Sequence, residues 1–287
     1  MDNNKDSISN TFQVAGALCI ICSLLVSITA VGLRETQKNN VVLDKKKNIL
    51  LVSGFSAEEV AKMDPAQIES YFAEDGDEII QIEDTVIDLS TGETAAEGEL
   101  EQALVKAKAE DMATFDQEKI SKAEELSIDL DVNKIGLKSH EKFSHVYIVR
   151  NKKKGMITRY VFPVKGKGLW STLFGYLAVD AAFQKIEGLT FYSHAETPGL
   201  GGEVDNPKWK KLWEGRLIYS ADGSLADKYV VKGSVPSDNR NAVDGLSGAT
   251  ITSVGVSNLV KYWLSDEGFG KYMENEKNKS SNSNSNG

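Results

Sequence analysis

One stretch of the chain, Asp244–Thr250, combines hydroxyl side chains with glycines in an order that suits the binding of an anion. It reads Asp-Gly-Leu-Ser-Gly-Ala-Thr and continues into Ile-Thr-Ser. Its two glycines let the backbone approach a ligand with no Cβ in the way. Four hydroxyl side chains lie within it or directly after it: Ser247, Thr250, Thr252 and Ser253.

A helical pattern of apolar residues follows this stretch. Five large side chains recur at helical spacing and predict a helix with one buried face: Val256, Leu259, Val260, Trp263 and Leu264. The first turn of a helix has backbone N–H groups without intrahelical partners, and its dipole favours anions, phosphate above all. The sequence therefore predicts a phosphate-binding turn in which a hydroxyl lies beside the phosphorus.

Two other interpretations of this turn compete with phosphate binding. Serine and threonine are common at helix starts, so ordinary capping explains the hydroxyls equally well. Gly245-x-Ser247 also begins the nucleophile elbow of serine hydrolases, but that motif needs glycine where Ala249 stands. The elbow follows a buried strand, whereas residues 237–241 are polar. The sequence thus argues against a hydrolase.

Two glycine-containing stretches earlier in the chain could line a ligand. Residues 166–171 read Gly-Lys-Gly-Leu-Trp-Ser, which places a close backbone approach beside an indole, and residues 196–202 read Glu-Thr-Pro-Gly-Leu-Gly-Gly. A buried turn with a core tryptophan, and a plain surface turn, are the alternatives. Neither stretch fits G-x-G-x-x-G or the P-loop pattern, so a Rossmann or P-loop nucleotide site is not supported.

The three stretches together resemble a known family. Asp-x-x-Ser-Gly-Ala-Thr is similar to the flavinylation motif of FMN-binding domains, in which a flavin transferase joins the FMN phosphate to the hydroxyl of the last threonine, here Thr250. In this order, behind one N-terminal apolar helix, the stretches closely resemble the C-subunit family of sodium-translocating NADH:quinone oxidoreductases. The resemblance covers that helix and residues 135–270.

This resemblance implies a set of residues around a covalently bound FMN. It places Thr250 on the phosphate, with Ser247, Gly248 and Ala249 beside it, and no catalytic residue on this chain. Asp244 would cap the turn or be recognised by the transferase. The remaining residues would line the ring, the ribityl chain or the phosphate: Glu196, Thr197, Leu200, Gly201, Trp170, Leu169 and Lys232.

The resemblance also implies a role in electron transfer. The protein would relay electrons between other redox subunits toward quinone, within a translocase that oxidises NADH and moves sodium. Its partners would be those subunits, the flavin transferase during maturation, and membrane lipid. Two alternatives remain: the flavin subunit of a related ion-translocating ferredoxin:NAD oxidoreductase, and a membrane-tethered module that binds a phosphorylated ligand without redox chemistry.

Composition narrows the remaining classes of function. The formal net charge is -9, but residues 74–101 carry eleven acidic residues and no Lys or Arg, so the rest of the chain has a charge of about +2. No basic face favours nucleic acid. Both cysteines lie in the N-terminal apolar stretch, which excludes a Cys-ligated cluster elsewhere on the chain. His194 and Glu196 alone are too few ligands for a metal site.

The N-terminal stretch has the length of a membrane span. Residues 12–33 contain no charged residue, and at 1.5 Å per residue they extend roughly 33 Å, enough for a bilayer core. We expect an uncleaved single-pass anchor in the bacterial cytoplasmic membrane. Arg34 and the lysines at 45–47 would keep the large domain cytoplasmic, whereas the family resemblance places it on the outer face; we prefer the outer face.

The remaining pattern predicts an α+β domain, a curved and mostly antiparallel sheet with flanking helices. Residues 49–52 suggest a short buried strand. Ser56 opens a short helix with a capping box, and Asp64 opens the next. Residues 86–87 suggest a possible strand within the acidic insert, 102–125 an exposed helix, and 145–149 with 156–164 a hairpin. The predicted domains are, in order, 1–11 tail, 12–33 transmembrane helix, 34–134 membrane-proximal region with the acidic insert 74–101, 135–272 FMN-binding core, and 273–287 disordered tail.

Overall fold

The computed structural model describes residues 8–74, 76, 78–106, 121 and 126–285. Its helices are α1 (Ile8–Val52), α2 (Ala57–Lys62), α3 (Pro65–Ser70), α4 (Glu97–Lys106), α5 (Val132–Ile135), α6 (Pro207–Lys211), α7 (Thr250–Leu264) and α8 (Gly270–Ser285), with a 3-10 helix at Gly201–Asp205. Its strands are β1 (Ile80–Asp88), β2 (Glu93–Thr94), β3 (Ser127–Asp129), β4 (Ser139–Glu141), β5 (Phe143–Asn151), β6 (Met156–Lys167), β7 (Thr172–Asp180), β8 (Lys185–Ser193), β9 (Arg216–Leu217), β10 (Val230–Val231) and β11 (Val243–Asp244).

A seven-stranded sheet in the order β2-β1-β5-β6-β7-β8-β9 forms the centre of the domain. All of its neighbouring strands are antiparallel. Shifts of register interrupt the β5–β6 pair and the β7–β8 pair, and such bulges bend and twist a sheet. The predicted α+β class with a mostly antiparallel sheet is confirmed.

Helix α7 packs against β6 and thereby locates the turn that precedes it. A Cβ on Gly255 of α7 would lie 2.3 Å from the carbonyl oxygen of Lys167, so only glycine permits this approach. Further along, the indole Nε1 of Trp263 donates to the carbonyl oxygen of Lys165 at 2.7 Å. The predicted apolar face is fully buried: Val256, Leu259, Val260, Trp263 and Leu264. The start of α7 therefore lies beside the end of β6.

The chain divides into two compact units, Met1–Asp44 and Lys45–Gly287. In the first, residues 8–41 are all exposed. Among the described residues, α1 is the one helix long and apolar enough to cross a membrane. Because water is a poor solvent for such a surface, α1 fits the predicted membrane anchor at 12–33.

The last turns of α1 belong to the second unit. The prediction of a short strand at residues 49–52 is wrong, because they continue the helix to Val52. The predicted burial of these residues is observed, because Ile49 and Leu50 are almost fully enclosed. A short apolar run looks alike in a strand and in a buried helix, so periodicity could not separate the two.

The acidic insert contributes to the sheet. Residues 74–101 are predicted to be an acidic insert with a possible strand at 86–87. They supply β1, which contains those two residues and pairs with β5 along its whole length. On β1, Ile82 and Val86 are buried, while Glu83 accepts from Arg150 Nε at 2.7 Å. The central sheet therefore includes a strand that precedes residue 135, because β1 pairs with β5.

The C-terminal tail is predicted to be disordered, and α8 shows the opposite as far as Ser285. Tyr272 and Met273 are buried in the main core, and Asn275 donates to the carbonyl oxygen of Gly92 at 3.1 Å. The predicted capping box at Ser56 is present, and the helix predicted to start at Asp64 has a capping box as well. The helix predicted over 102–125 is α4 up to Lys106, and the remainder of that prediction lies largely outside the described residues.

Candidate functional site

The loop between β6 and β7 forms one side of the site. Lys167 pairs with Thr172, and Gly168 N donates to the carbonyl oxygen of Ser171 at 2.8 Å, so the loop is the tight turn 168–171. Trp170 is 67% exposed. The alternative of a core tryptophan is therefore wrong, and the indole lies on the surface of this turn.

Glu196 joins this loop to the start of α7. Its Oε1 accepts hydrogen bonds from Trp170 N at 2.9 Å and Ser171 N at 3.1 Å. Its Oε2 accepts from Leu169 N at 3.2 Å and from Thr252 Oγ1 at 2.7 Å. Charge-assisted bonds of this kind are stronger than neutral ones. The carboxylate thus fixes two segments that are far apart in sequence against each other.

Two glycines make room for this carboxylate. A Cβ on Gly168 would lie 2.6 Å from Glu196 Oε1, and a Cβ on Gly201 would lie 2.6 Å from Oε2. Burial raises the pKa of Glu196, but hydrogen bonds from the Thr252 hydroxyl and from three loop amides outweigh burial and hold that pKa below its ordinary value. Glu196 is therefore an ionised acceptor whose partners are protein groups.

The loop that follows Glu196 folds on itself. The carbonyl oxygen of Thr197 accepts from Leu200 N at 3.1 Å and from Gly202 N at 2.9 Å. Gly199 has a φ of +76°, which favours glycine. Leu200 projects to the surface, 44% exposed, close enough to Gly248 that a Cβ there would meet its Cδ2 at 2.9 Å. The loop therefore reaches the turn before α7.

The turn before α7 is held by Asp244. Its Oδ1 accepts from Val235 N at 2.7 Å, and its carbonyl oxygen accepts from the indole of Trp209 at 2.8 Å. β11, which contains Asp244, pairs in parallel with β10. Lys232, which directly follows β10, is exposed. Because Gly245 N donates to Gly233 O at 3.0 Å, the backbone of Lys232 lies next to this turn.

The four hydroxyls of the turn divide into two pairs. Thr252 donates to Glu196, and Ser253 Oγ accepts from Leu246 N at 2.9 Å. Ser247 and Thr250 are exposed. Among the residues that the structure describes, neither of them makes a side-chain hydrogen bond, and α7 has no side-chain cap. Ordinary capping therefore does not account for Ser247 or Thr250.

Exposed apolar side chains lie on the segments that carry or adjoin these two hydroxyls. Leu200 lies against the turn, and the loop with Trp170 is tied to the start of α7 through Glu196. The exposed members of this group, the apolar rim, are Leu169 at 42%, Trp170 at 67%, Leu200 at 44%, Ile251 at 59% and Val254 at 52%. A group of exposed large apolar side chains is typical of a ligand-binding or partner-binding surface.

The sequence did not predict which side chains of this site bind other protein groups. It placed Glu196 at a ring or ribityl chain, whereas the carboxylate contacts protein groups. It did not single out Ser171, whose Oγ accepts from Ala195 N at 2.8 Å. The sequence did show a carboxylate among small residues, which needs hydrogen-bond donors when it is buried. Those donors could not be identified, because they lie 25 or more positions away along the chain.

Comparison with known proteins identifies a family domain in the same region of the chain. Residues 168–265 match the family model of the FMN-binding domain. The match begins at the β6–β7 loop and ends one residue after α7, so it contains Glu196, the turn and Thr250.

Relatives extend over nearly the whole chain. The C subunit of the Na(+)-translocating NADH-quinone reductase of Yersinia pestis is 36% identical over 273 residues, which cover 94% of each chain. The protein of the same name in Vibrio parahaemolyticus is 38% identical over 275 residues, covering 95% of this chain and 97% of that one.

Solved structures agree with this relationship. The crystal structure of NqrC from Shewanella oneidensis superimposes with a TM-score of 0.67 at 27% identity, covering 81% of this chain and 96% of that one. The corresponding C-subunit structure from Parabacteroides distasonis gives a TM-score of 0.58 at 25% identity, covering 84% and 96%. On these identities and coverages, the chain belongs to the family of C subunits of the Na(+)-translocating NADH-quinone reductases.

Proposed function

We propose that this chain carries FMN, joined through its phosphate to the hydroxyl of Thr250, and relays electrons between other subunits of a Na(+)-translocating NADH:quinone reductase toward quinone. FMN is the cofactor of the domain that the family model describes over residues 168–265. The observation that supports Thr250 as the attachment point is its exposed hydroxyl at the first residue of α7, beside hydroxyls that are already engaged by the protein.

The phosphate end of FMN suits the turn before α7. The first N–H groups of a helix and its dipole favour a phosphate. Gly248 has a φ of +70° and is exposed, so the backbone there is open to a ligand. Ser247 would donate to the phosphate, and Lys232 would supply a positive charge close to the same turn.

The ring end of FMN suits the apolar rim. Isoalloxazine is flat and largely apolar, with a polar edge. Trp170, Leu169 and Leu200 would provide apolar contact, while the exposed Thr197 would hydrogen-bond the polar edge or the ribityl chain. Glu196 acts in this arrangement by fixing the loop that bears Trp170, and Gly201 by leaving room for the carboxylate.

When bound, FMN supplies transfer of one or two electrons at a time. The residues of this chain would hold and orient it, and they would keep it attached without reliance on free cofactor. The relatives are named as one subunit of a translocating reductase, so other subunits are the partners that would give and take electrons. This name favours the NADH:quinone reductase over the related ferredoxin:NAD oxidoreductase.

We also propose that α1 anchors the domain in membrane lipid and that the domain lies on the outer face of the cytoplasmic membrane. Long domains cross a membrane regardless of flanking charge, so the lysines at 45–47 do not decide the orientation. Protease added to spheroplasts should cleave the domain. Protection in intact spheroplasts, with cleavage only after lysis, would place the domain in the cytoplasm.

Attachment is tested by intact-mass spectrometry of full-length chains expressed with a flavin transferase. Wild type should carry the mass of one FMN, and Thr250→Ala should carry none while its circular dichroism remains that of wild type. Ser247→Ala removes the neighbouring exposed hydroxyl and is the matched control, which should retain covalent flavin in a smaller fraction. Covalent flavin on Thr250→Ala, or a colourless wild type from cells able to make the linkage, would refute the proposal.

A further inference from the structure

His194 lies between a carboxylate and the backbone of the residue that fixes the site. Its Nε2 is 2.7 Å from Asp205 Oδ2, and its Nδ1 accepts a hydrogen bond from Glu196 N at 3.2 Å. The imidazole is only 12% exposed. The ring therefore connects the 3-10 helix, which ends at Asp205, to the start of the loop from which the Glu196 side chain projects.

These two contacts determine where the ring carries its proton. An ionised carboxylate only accepts hydrogen bonds, so Nε2 must bear the hydrogen that faces Asp205. A backbone N–H only donates, so Nδ1 must present its lone pair to Glu196. The geometry is that of a neutral imidazole in the Nε2–H tautomer, and the imidazolium form does not fit it.

Three charged groups lie on the elements around the ring. Asp205, on the 3-10 helix, faces Nε2. Lys210, on α6, lies 3.2 Å from Asp205 Oδ1. The Glu196 carboxylate, two residues along the loop, accepts hydrogen bonds from the β6–β7 loop and from Thr252.

The same network continues to the end of α1. Lys210 Nζ donates to Thr190 Oγ1 at 3.0 Å, and Thr190 Oγ1 donates to Asn48 Oδ1 at 3.1 Å. Both Thr190 and Asn48 are buried. Lys210, which binds Asp205 on one side, is thus itself hydrogen-bonded to Thr190 of β8. In this chain of contacts, the His194 imidazole is the group whose hydrogen bonding changes when it takes up a proton.

We propose that His194 is a positioning residue for the flavin site, one that holds the Glu196 loop only while its ring is neutral. A proton taken from solvent at Nδ1 would place an N–H against the Glu196 N–H, and their hydrogen bond would be lost. The start of the loop would then be held by the contact between Ala195 N and Ser171 Oγ. The consequence for flavin rests on the proposed function, whereas the contact itself does not.

Two substitutions separate the two nitrogens. His194→Asn keeps an acceptor near the position of Nδ1 and loses the group that reaches Asp205. His194→Gln keeps a donor near the position of Nε2 and loses the acceptor for Glu196 N. Their volumes are similar, so each is the control for the other. The chain has only three histidines, so nitrogen-15 NMR of histidine-labelled full-length chain in detergent reads the tautomer of His194 directly.

The first measurement is the tautomer, and the second is hydrogen exchange of the segment 194–200, corrected for the intrinsic effect of pH. We expect Nε2–H at neutral pH. Protection of the Glu196 amide should fall about fivefold, the effect of one hydrogen bond, at the pH where NMR shows the ring becoming charged. His194→Gln should show the lower protection at both pH values, and His194→Asn should keep the higher protection at both.

Three results would refute the contact on which the proposal rests: Nδ1–H or a charged ring at neutral pH, wild-type protection in His194→Gln, or unchanged wild-type protection once the ring is charged. In FMN-loaded chain, the visible flavin spectrum of wild type should change over the same pH range, and that of His194→Asn should not. A lost amide contact with an unchanged spectrum would make the role purely structural and refute the positioning of the flavin site. Exchange of unloaded chain reads the contact even if attachment to Thr250 fails.

Discussion

Replacement of Glu196 by glutamine tests whether one carboxylate holds the site together. Glutamine has nearly the same shape, but one of its two terminal groups donates instead of accepting. If its oxygen takes the place of Oε1, it still accepts from Trp170 N and Ser171 N. Its NH2 group then faces Leu169 N, a donor, where Oε2 accepted at 3.2 Å. Either orientation of the amide leaves at least one donor facing another donor.

The expected cost follows from these contacts. One lost hydrogen bond costs about 1 kcal/mol, a donor left without a partner costs about 1–3 kcal/mol, and the surviving bonds are weakened because they lose charge assistance. Glu196→Gln should therefore lower the free energy of unfolding by about 2–4 kcal/mol. Glu203→Gln is the matched control: Glu203 accepts from Asn206 Nδ2 at 2.7 Å, and an amide oxygen can still accept that bond. Its expected effect is within about 0.5 kcal/mol.

The pH dependence gives a second, independent readout. The pKa of Glu196 is lowered from its ordinary value of 4.5, so the folded chain binds this proton less readily than the unfolded chain. The stabilisation is therefore present above pH 4.5 and is lost as pH falls through the lower folded pKa. The difference between wild type and Glu196→Gln should be constant above that pH and shrink below it.

Urea denaturation of the full-length chain, followed by tryptophan fluorescence from about pH 3.5 to about pH 7.5, measures both effects. Two results would contradict the reasoning. One is a Glu196→Gln variant as stable as the Glu203→Gln control at neutral pH. The other is a difference from wild type that stays the same at all pH values.

Three further substitutions probe the elements around the site. Trp263→Phe removes the indole donor to the Lys165 carbonyl and should cost about 1–3 kcal/mol in urea denaturation; an unchanged midpoint would show that this bond is dispensable. Gly201→Ala would place a Cβ 2.6 Å from Glu196 Oε2 and should increase hydrogen exchange of the amides at 169–171, an effect that unchanged exchange there would exclude. Glu141→Gln removes the negative charge from a buried ion pair, in which Lys165 Nζ lies 2.7 Å from Glu141 Oε2. Thermal unfolding should show that the free energy of unfolding falls by about 3–5 kcal/mol. A fall below about 1 kcal/mol would speak against a strong buried pair.

Local patterns explain the features that the sequence predicted well. The hairpin of β5 and β6, the capping boxes and the buried face of α7 each depend on residues within a short distance of one another along the chain. Propensity and periodicity act over that distance. The helix start at Thr250 also follows from adjacent residues, whereas its binding of a phosphate stays a prediction.

Features that depend on distant partners could not be predicted in this way. Only a possible strand at 86–87 was predicted within β1. The full length of β1 could not be predicted, because its buried Ile82 and Val86 and its acidic Glu83 and Asp84 have partners only on β5 and in the core. There, His145 Nδ1 lies 2.7 Å from Asp84 Oδ1 and Arg150 binds Glu83. Similarly, the polar composition from Asn275 onward concealed the continuation of α8, which is held in place by the burial of Tyr272 and Met273 in its first turn.

Glu196 is the clearest case of this limit. Nothing in Glu-Thr-Pro-Gly-Leu-Gly-Gly shows that the carboxylate will accept from the loop at 169–171 and from Thr252 at the same time. Both partners become visible only when β6, β7 and α7 are assembled. The sequence could therefore identify the three stretches of the site, but not the contact that unites them.

If Thr250 is modified as proposed, that contact would set an order of events in biosynthesis. The hydroxyl at the start of α7 acquires its surroundings only once the β6–β7 loop, the carboxylate loop and α7 have met, and these come from segments some eighty positions apart. A modifying enzyme that recognises this assembled surface would act on folded chains and pass over nascent or misfolded ones. Attachment of the cofactor would then serve as a mark that folding of the domain has been completed.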